Sequence, residues 1–395
     1  MPSSPPKVVL AVNGVFHHFE LAHELARRDM LRSIYSTFHW GRLKREGLDR
    51  KYIRMFPWIH PVQIAVQQRT AIPSFPARYL DRSVRWTLDR YIASTLPSCD
   101  AYIALSGSGL ASGRTAQSRG AVYVCDRGSS HIRYQDRILV EEYRLWGLER
   151  SVVDPYFVAR EEAEYAQADA ISVPSGFAMR SFVEMGVPQE KLHRIPYGVR
   201  LDRFQRVAEP PSDKFEVLFA GTVSLRKGVP YLLQAFKELR HRNKRLRLVG
   251  PVRPEMQEIF PRFDMTDVEV VGAVPQSKMA EFMSSSHVMV LPSIEEGLAL
   301  VQGQALACGC PLISSTHTGA EDLFSDGVEG FLVPIRSAEV IRERLQELAE
   351  DPSLQQRMSE AALARVRHLG GWKDYGDAWG ELLERLIGAR RLQGA

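Results

Sequence analysis

Short apolar runs, each followed by a polar loop and a helical pattern, recur along this chain, and that alternation most constrains its fold. The run at 8–12 ends in Asn13-Gly14 and gives way to Phe19, Leu21, Ala22, Leu25 and Ala26 at helical spacing. Runs at 101–105, 122–125 and 170–174 repeat the signature. It restarts at 215–220, with a glycine-bounded loop at 221–228 and then Leu232, Leu233, Phe236 and Leu239 in helical register. Further strand-like runs fall at 246–249, 268–271, 288–291 and 312–314. Such alternation predicts parallel strands joined by crossover helices. A chain of 395 residues exceeds one ordinary core. Two doubly wound α/β domains are therefore expected, over 1–198 and 199–371, with Glu209-Pro210-Pro211-Ser212 as a linker. After Gly370-Gly371, a helix over 372–395 is expected to pack back on the first domain. Ligands of such sheets bind at the carboxyl ends of strands, so the cleft between the domains is the expected site.

Composition narrows the setting. Cys99, Cys125, Cys308 and Cys310 show no disulfide or metal spacing, which fits a reducing cytoplasm. The polar start at 1–6 does not read as a signal peptide, so none is expected, and no apolar run reaches membrane-span length. Residues 1–100 carry 15 Lys/Arg against 8 Asp/Glu, a net of +7, while the whole chain is +4 and the remainder therefore −3. Basic character concentrated there suits an anionic membrane surface or a phosphorylated ligand. Residues 42–58 and 78–91 interleave arginine and lysine with Tyr52, Phe56, Trp58, Tyr79, Trp86 and Tyr91. That mixture fits peripheral contact at the inner face of a membrane, or simply a solvated face over a core. No reading helix or stacking motif accompanies the charge, so no nucleic acid partner is expected.

Two segments of the second half carry candidate chemistry. The loop 221–228 joins a strand to a helix N-terminus, with Arg226 and Lys227 where a phosphate would sit. Its spacing is neither the Walker A nor the dinucleotide pattern. Taken alone it reads as a glycine turn with two solvated basic residues. The loop 293–297 places Glu295-Glu296-Gly297 before an expected helix over 298–308. Glu296 suits a helix start, worth about 0.3–1 kcal/mol. Gln304 lies eight residues on, about 80° around that helix, so the two can share a crevice.

The ordered set of motifs from 168 to 334 resembles the retaining GT-B glycosyltransferases of family 4. It comprises Ala168-Asp169, Val173-Pro174-Ser175, 195–199 with Phe204, Ala220-Gly221, Lys227-Gly228, Val249-Gly250, Val271-Gly272 and Val274-Pro275. It continues through Pro292-Ser293, Glu296-Gly297, 305–309 with Pro311, Gly319-Ala320-Glu321, Asp326-Gly327 and 330–333. The resemblance implies two Rossmann-like domains of the GT-B fold and transfer of a sugar, with retention, from a nucleotide diphosphate-sugar. It implies that Lys227 binds the donor diphosphate, with Gly221, Thr222 and Arg226 also at the donor, and that Val274 flanks the base. Glu296 would face the sugar with Gly297, Leu298, Leu300 and Val301, and Gln304 would meet the ribose. Two positions depart from the family pattern. Thr222 stands where arginine is frequent, and Gln304 where glutamate is common. A neutral amide gives weaker ribose bonds than a carboxylate.

In the first half, Asp126, Arg127 and His131 converge in one loop after a strand, with Asp126 and His131 as catalytic candidates. A serine cap with His131 in the first helical turn is the plainer alternative. Gly14, His17 and His18 follow the first strand, where the acceptor or diphosphate would lie. The acceptor is expected to be a glycan or lipid-linked glycan of polysaccharide biosynthesis. No Asp-x-Asp pair or histidine cluster is suitably placed, so neither metal nor cofactor is expected. Two alternatives stay open: a nucleotide-sugar 2-epimerase on the same fold, and an inactive partner subunit.

Overall fold

The computed structural model describes residues 5–69, 75–149, 152–199 and 203–393, with backbone alone at 65–69, 75–78 and 393. The side chain of Arg78 and residues 200–202, at the start of the expected second domain, lie outside the described residues. The first sheet comprises β1 (Val8–Val12), β2 (Leu31–Ser36), β3 (Ile53–Met55), β4 (Ala101–Leu105), β5 (Val122–Asp126), β6 (Ala170–Val173) and β7 (Leu192–Arg194). Its order is β3-β2-β1-β4-β5-β6-β7. The second comprises β8 (Phe215–Ala220), β9 (Lys244–Val249), β10 (Val268–Gly272), β11 (Val288–Leu291), β12 (Leu312–Ser315) and β13 (Gly330–Val333), ordered β10-β9-β8-β11-β12-β13. All named pairings are parallel.

The predicted doubly wound sheets are therefore present, and the longer strand predictions coincide with observed ones. β1, β5 and β8 are buried along their whole length, which is why they read as unbroken apolar runs. The strands that sequence did not reveal are β2, whose LRSIYS mixes polar residues into the run, and the short outer strands β3, β7 and β13. Strand order reverses direction between β1 and β4 and between β8 and β11. Those are the two switch points where loops diverge and leave a crevice.

The last helix, Trp372–Gln393, lies on the first domain rather than the second. Trp379 is fully buried with Val8, Leu10 and Leu25 in one core. Asp377 pairs with Arg28, Arg390 reaches Asp169 at 3.0 Å, and Arg391 reaches Asp100 at 2.9 Å. This helix thus ties the end of the chain to the domain in which it begins.

Candidate active site

The loops after β1, β4 and β5 face the loops after β8 and β11 across a narrow interface. Gly297 sits so close to Gly128 that an added Cβ would overlap the Gly128 carbonyl oxygen. The Ser175 hydroxyl donates to the Gly297 carbonyl at 2.5 Å. Glu295 crosses the interface. Its carboxylate accepts from the Ser129 hydroxyl at 2.6 Å, the Ser130 hydroxyl at 2.6 Å, the Ser130 amide at 3.1 Å and the Gln135 amide at 2.7 Å. Arg226 adds an ion pair at 2.9 Å. Burial works against this carboxylate, but Arg226 and those donors outweigh it and hold its pKa down to about 2.

Two cavities adjoin this interface. The smaller, about 460 Å³, lies in the second domain and is lined by Gly221, Thr222, Lys227, Val274, Glu296, Leu298, Leu300 and Val301, among others. The larger, about 1060 Å³, lies between the domains. It is lined by His17, Arg127, Gly128, Ser129, Tyr197, Arg226 and Gln304, among others. Leu300 borders both. Most residues singled out in the second half therefore converge on one region, although Glu296 and Gln304 line different cavities.

Lys227 forms an ion pair with Glu296, whose carboxylate also accepts from the Ser293 hydroxyl at 3.1 Å. Gly228 supports the turn: its φ is +66°, and a Cβ there would overlap the Pro292 carbonyl. The helix after this loop starts at Val229-Pro230, and the Tyr231 amide donates to the Gly228 carbonyl at 3.1 Å. Arg226 bridges the domains. Its Nε donates to the Glu295 carbonyl at 3.1 Å and its Nη2 lies 3.5 Å from the Ser129 hydroxyl. In the helix Leu300–Ala307 the buried, fully partnered glutamine is Gln302, not Gln304. Gln302 donates to the Thr318 carbonyl at 3.1 Å and accepts from the Thr318 hydroxyl at 3.1 Å. Gln304 is half-buried and faces the larger cavity.

The first-domain candidates separate sharply. His131 does not line either cavity. It is buried as the N-cap of the helix Ile132–Leu145, its Nδ1 accepting from the Arg133 amide at 3.2 Å. Its ring packs 5.0 Å from Tyr165 and 4.9 Å from Phe182. Burial pushes its pKa down to about 4, leaving a neutral ring. His131, offered by the sequence as a catalytic candidate, is thus turned away from the cleft by its cap bond and its aromatic neighbours. Asp126 is also buried and outside the cavity lining. It accepts from the Ser172 hydroxyl at 2.6 Å and meets His17 Nε2 at 2.5 Å. His18 is fully buried beside it, with Nε2 at 3.3 Å, and burial lowers its pKa to about 3. Gly14 shapes the turn, with φ +89° and its amide donating to Thr37 Oγ1 at 2.9 Å. Arg127 is clamped by Glu161 at 2.7 Å and donates to the Ser130 carbonyl at 2.9 Å.

Nothing local in the sequence marks His17, His18 and Asp126 as one cluster, yet their ligand-capable atoms lie within 4.8 Å of one another. The sequence also missed the basic lining of the larger cavity. Arg45, Arg85, Arg127, Arg203 and Arg226 face Glu20 and Glu46 there. The excess of basic residues in 1–100 was a partial signal, since two of the five arginines come from it.

Two parallel Rossmann-like sheets joined across a cleft define the GT-B class. Residues 202–365 match the family model for glycosyl transferases group 1, and the second half of the chain is a domain of that kind. The chain is 28% identical to a D-inositol 3-phosphate glycosyltransferase of Catenulispora acidiphila, over 81% of this chain and 79% of that protein. It spans about half the length of several other curated relatives that it matches. Its fold is similar to that of a sucrose-phosphate synthase from Thermosynechococcus elongatus, with TM-score 0.73 and 20% identity over 97% of this chain and 100% of that one. It is also similar to HepE of Anabaena in complex with UDP-glucose, with TM-score 0.66 and 14% identity over 96% of this chain and 100% of that one.

Proposed function

We propose that this protein transfers a sugar from a nucleotide diphosphate-sugar to a hydroxylated, anionic acceptor such as a lipid-linked glycan. The observation that carries the reading is the pairing of two cavities at one interdomain seam. The Lys227–Glu296 pair lies in the smaller, and a basic, wider chamber opens beside it. In this reading the smaller pocket takes the base and diphosphate. Lys227 and Arg226 offset the charge of the leaving group. Retention of anomeric configuration follows from the resemblance of the second half to family 4. The UDP-glucose bound by HepE makes uridine the first base to try.

A thermal-shift screen against UDP, GDP, ADP and TDP tests the donor site, because a ligand selective for the native state raises its melting point. One nucleotide at 100 times its Kd is expected to contribute about 2.7 kcal/mol. No shift with any of the four would remove the donor reading. Incubation of the corresponding nucleotide sugars without acceptor separates transfer from epimerisation, since an epimerised donor would reassign the reaction.

The acceptor side carries a second expectation. Among the described residues no helix is long and apolar enough to cross a membrane. Segment 42–58 is not one amphipathic helix but the end of a short helix, two tight turns and the outer strand β3. Some of its charge is used internally, Arg42 on Glu46 and Arg50 on the Ile53 carbonyl at 2.8 Å. Trp58 is nevertheless 74% exposed, Tyr79 51% and Trp86 49%, with the Arg90 guanidinium 5.6 Å from the Trp86 ring centroid. Aromatic rings beside cations suit a headgroup layer. The protein is expected to float with vesicles containing anionic lipid at low salt and to be released at high salt. Equal flotation on neutral vesicles would remove the electrostatic part of this reading.

A further inference from the structure

The arginines that line the larger cavity are not equivalent. Arg127 is fully engaged: beside its bonds to Glu161 and the Ser130 carbonyl, its Nη2 donates to Gln135 at 2.9 Å. Arg226 is paired with Glu295. Arg85, on the helix Phe75–Thr95, is different. Asp81 Oδ1 lies 3.7 Å from its Nε and already accepts from the Gln63 amide at 2.9 Å. Its Nη1 is 3.5 Å from the Ser106 carbonyl, at the outer limit of a hydrogen bond. Its buried Nε–H has no hydrogen-bond partner among the described residues. A guanidinium carries five N–H donors, and those of Arg85 are largely unmet.

The group is nonetheless held in place. The Phe157 ring centroid lies 4.6 Å from the guanidinium carbon. Gly107 leaves the space that the head group fills, since a Cβ there would fall 2.7 Å from Nη1. The Gly107 turn is itself fixed, because Glu164 accepts from the Gly107 amide at 2.6 Å and the Gly109 amide at 3.0 Å. A cation fixed with its donors unmet is costly unless an anion from outside completes it. Its place is on the acceptor side of the seam. Arg85 and Arg127 flank Ser106, whose hydroxyl is 3.3 Å from Arg127 Nη1. Arg127 adjoins Gly128, whose carbonyl abuts Gly297. A side pocket of about 310 Å³ shares Arg85, Arg127 and Gln135 with the larger cavity, which leaves room for a substituent there.

We infer that Arg85 seats a phosphoryl group of the acceptor, so that the accepting molecule is a sugar phosphate or a sugar on a phosphorylated lipid; this rests on the glycosyltransferase reading above. Arg45 adds a second cation to the same chamber. It is exposed and makes no hydrogen bond or ion pair among the described residues, while Glu46 beside it serves Arg42. Such a lining suits a phosphomonoester, with about −1.5 to −2 charges at pH 7, better than a carboxylate with one. The planar guanidinium also meets two phosphate oxygens at once.

The test keeps the donor site filled. Glucose 1-phosphate is titrated calorimetrically into the full chain saturated with UDP. Its affinity is expected to fall about 10- to 100-fold in Arg85→Ala and to recover in part in Arg85→Lys, with UDP affinity changed less than about twofold. Glucose should not bind. Melting curves show whether each variant is folded, and Arg85→Gln, which keeps more of the packing on Phe157, replaces an alanine variant that is not. Three results would overturn the inference: no binding of glucose 1-phosphate to the parent protein, equal affinity in parent and variant, or equally tight binding of glucuronate. Flotation on neutral vesicles doped with a polyprenyl phosphate separates the two sources of the group. Flotation lost in Arg85→Ala assigns the phosphate to a lipid-linked acceptor. No flotation, with glucose 1-phosphate still bound, assigns it to a soluble sugar phosphate. Absence of any nucleotide shift in the parent protein would instead strike the donor reading, and the same titration without nucleotide still decides the role of Arg85.

Discussion

Replacing Lys227 by alanine is expected to cut nucleoside diphosphate affinity by about 10- to 100-fold, or about 1.5–3 kcal/mol for the loss of charge-assisted bonds. Two effects act in the same direction. The cation that would meet the phosphates is gone, and Glu296, only 8% exposed, loses its nearer ion-pair partner and keeps only Arg226 at 4.0 Å. A carboxylate so weakly compensated repels the diphosphate and costs desolvation. Lys227→Arg should recover part of the loss, and Glu296→Gln combined with Lys227→Ala should be less harmful than the single lysine change predicts. Isothermal titration with UDP, alongside a melting curve to show that the fold is intact, measures this. Unchanged affinity in Lys227→Ala would place the phosphates elsewhere in the cleft.

The largest stability effect is expected at Glu295. Removing its carboxylate strands Ser129, Ser130, Gln135 and Arg226 at the domain interface, and breaking an ion pair with a buried partner typically costs about 3–5 kcal/mol. Glu295→Ala should therefore lower the melting point steeply, and Glu295→Gln, which keeps the shape and one acceptor, should cost less. The pH dependence has a definite sign. The folded-state pKa, about 2, lies below the ordinary value of 4.5. The stabilisation is therefore complete above pH 4.5 and is lost as pH falls toward 2. The shift corresponds to about 3 kcal/mol, at 1.36 kcal/mol per unit. Chemical denaturation of the parent protein and Glu295→Gln at neutral pH and near pH 3 should show the stability gap narrowing. A gap that stays constant would mean that the carboxylate is not the group responsible. The same variants report on the cleft, because Glu295 belongs to the second domain while four of its five interactions come from the first.

The division between legible and illegible features is instructive at single residues. Glu295 and Glu296 are adjacent, and the sequence drew attention to both. Only Glu296 was given a role, because nothing local distinguishes an acid facing the donor pocket from its neighbour facing the other domain. His131 looked functional because Asp126, Arg127 and His131 share one loop. Yet the helix that starts at Ile132 takes its ring as a cap, and Asp126 turns inward to a histidine 109 residues away. Gln304 stands out by its place eight residues after Glu296, but Gln302 is the glutamine whose polar atoms are satisfied inside.

The sequence alone determined the two doubly wound sheets, because parallel strands buried on both faces must be written as continuous apolar runs. It also determined the loops around Lys227 and Glu296, where glycines and a helix start are local requirements. The tertiary structure decided which side chains share a cavity. It paired Glu295 with the serines of the other domain, set His17 against Asp126, and folded the last helix back over the first sheet. Those choices depend on contacts between segments tens to hundreds of residues apart, which local pattern and propensity do not encode.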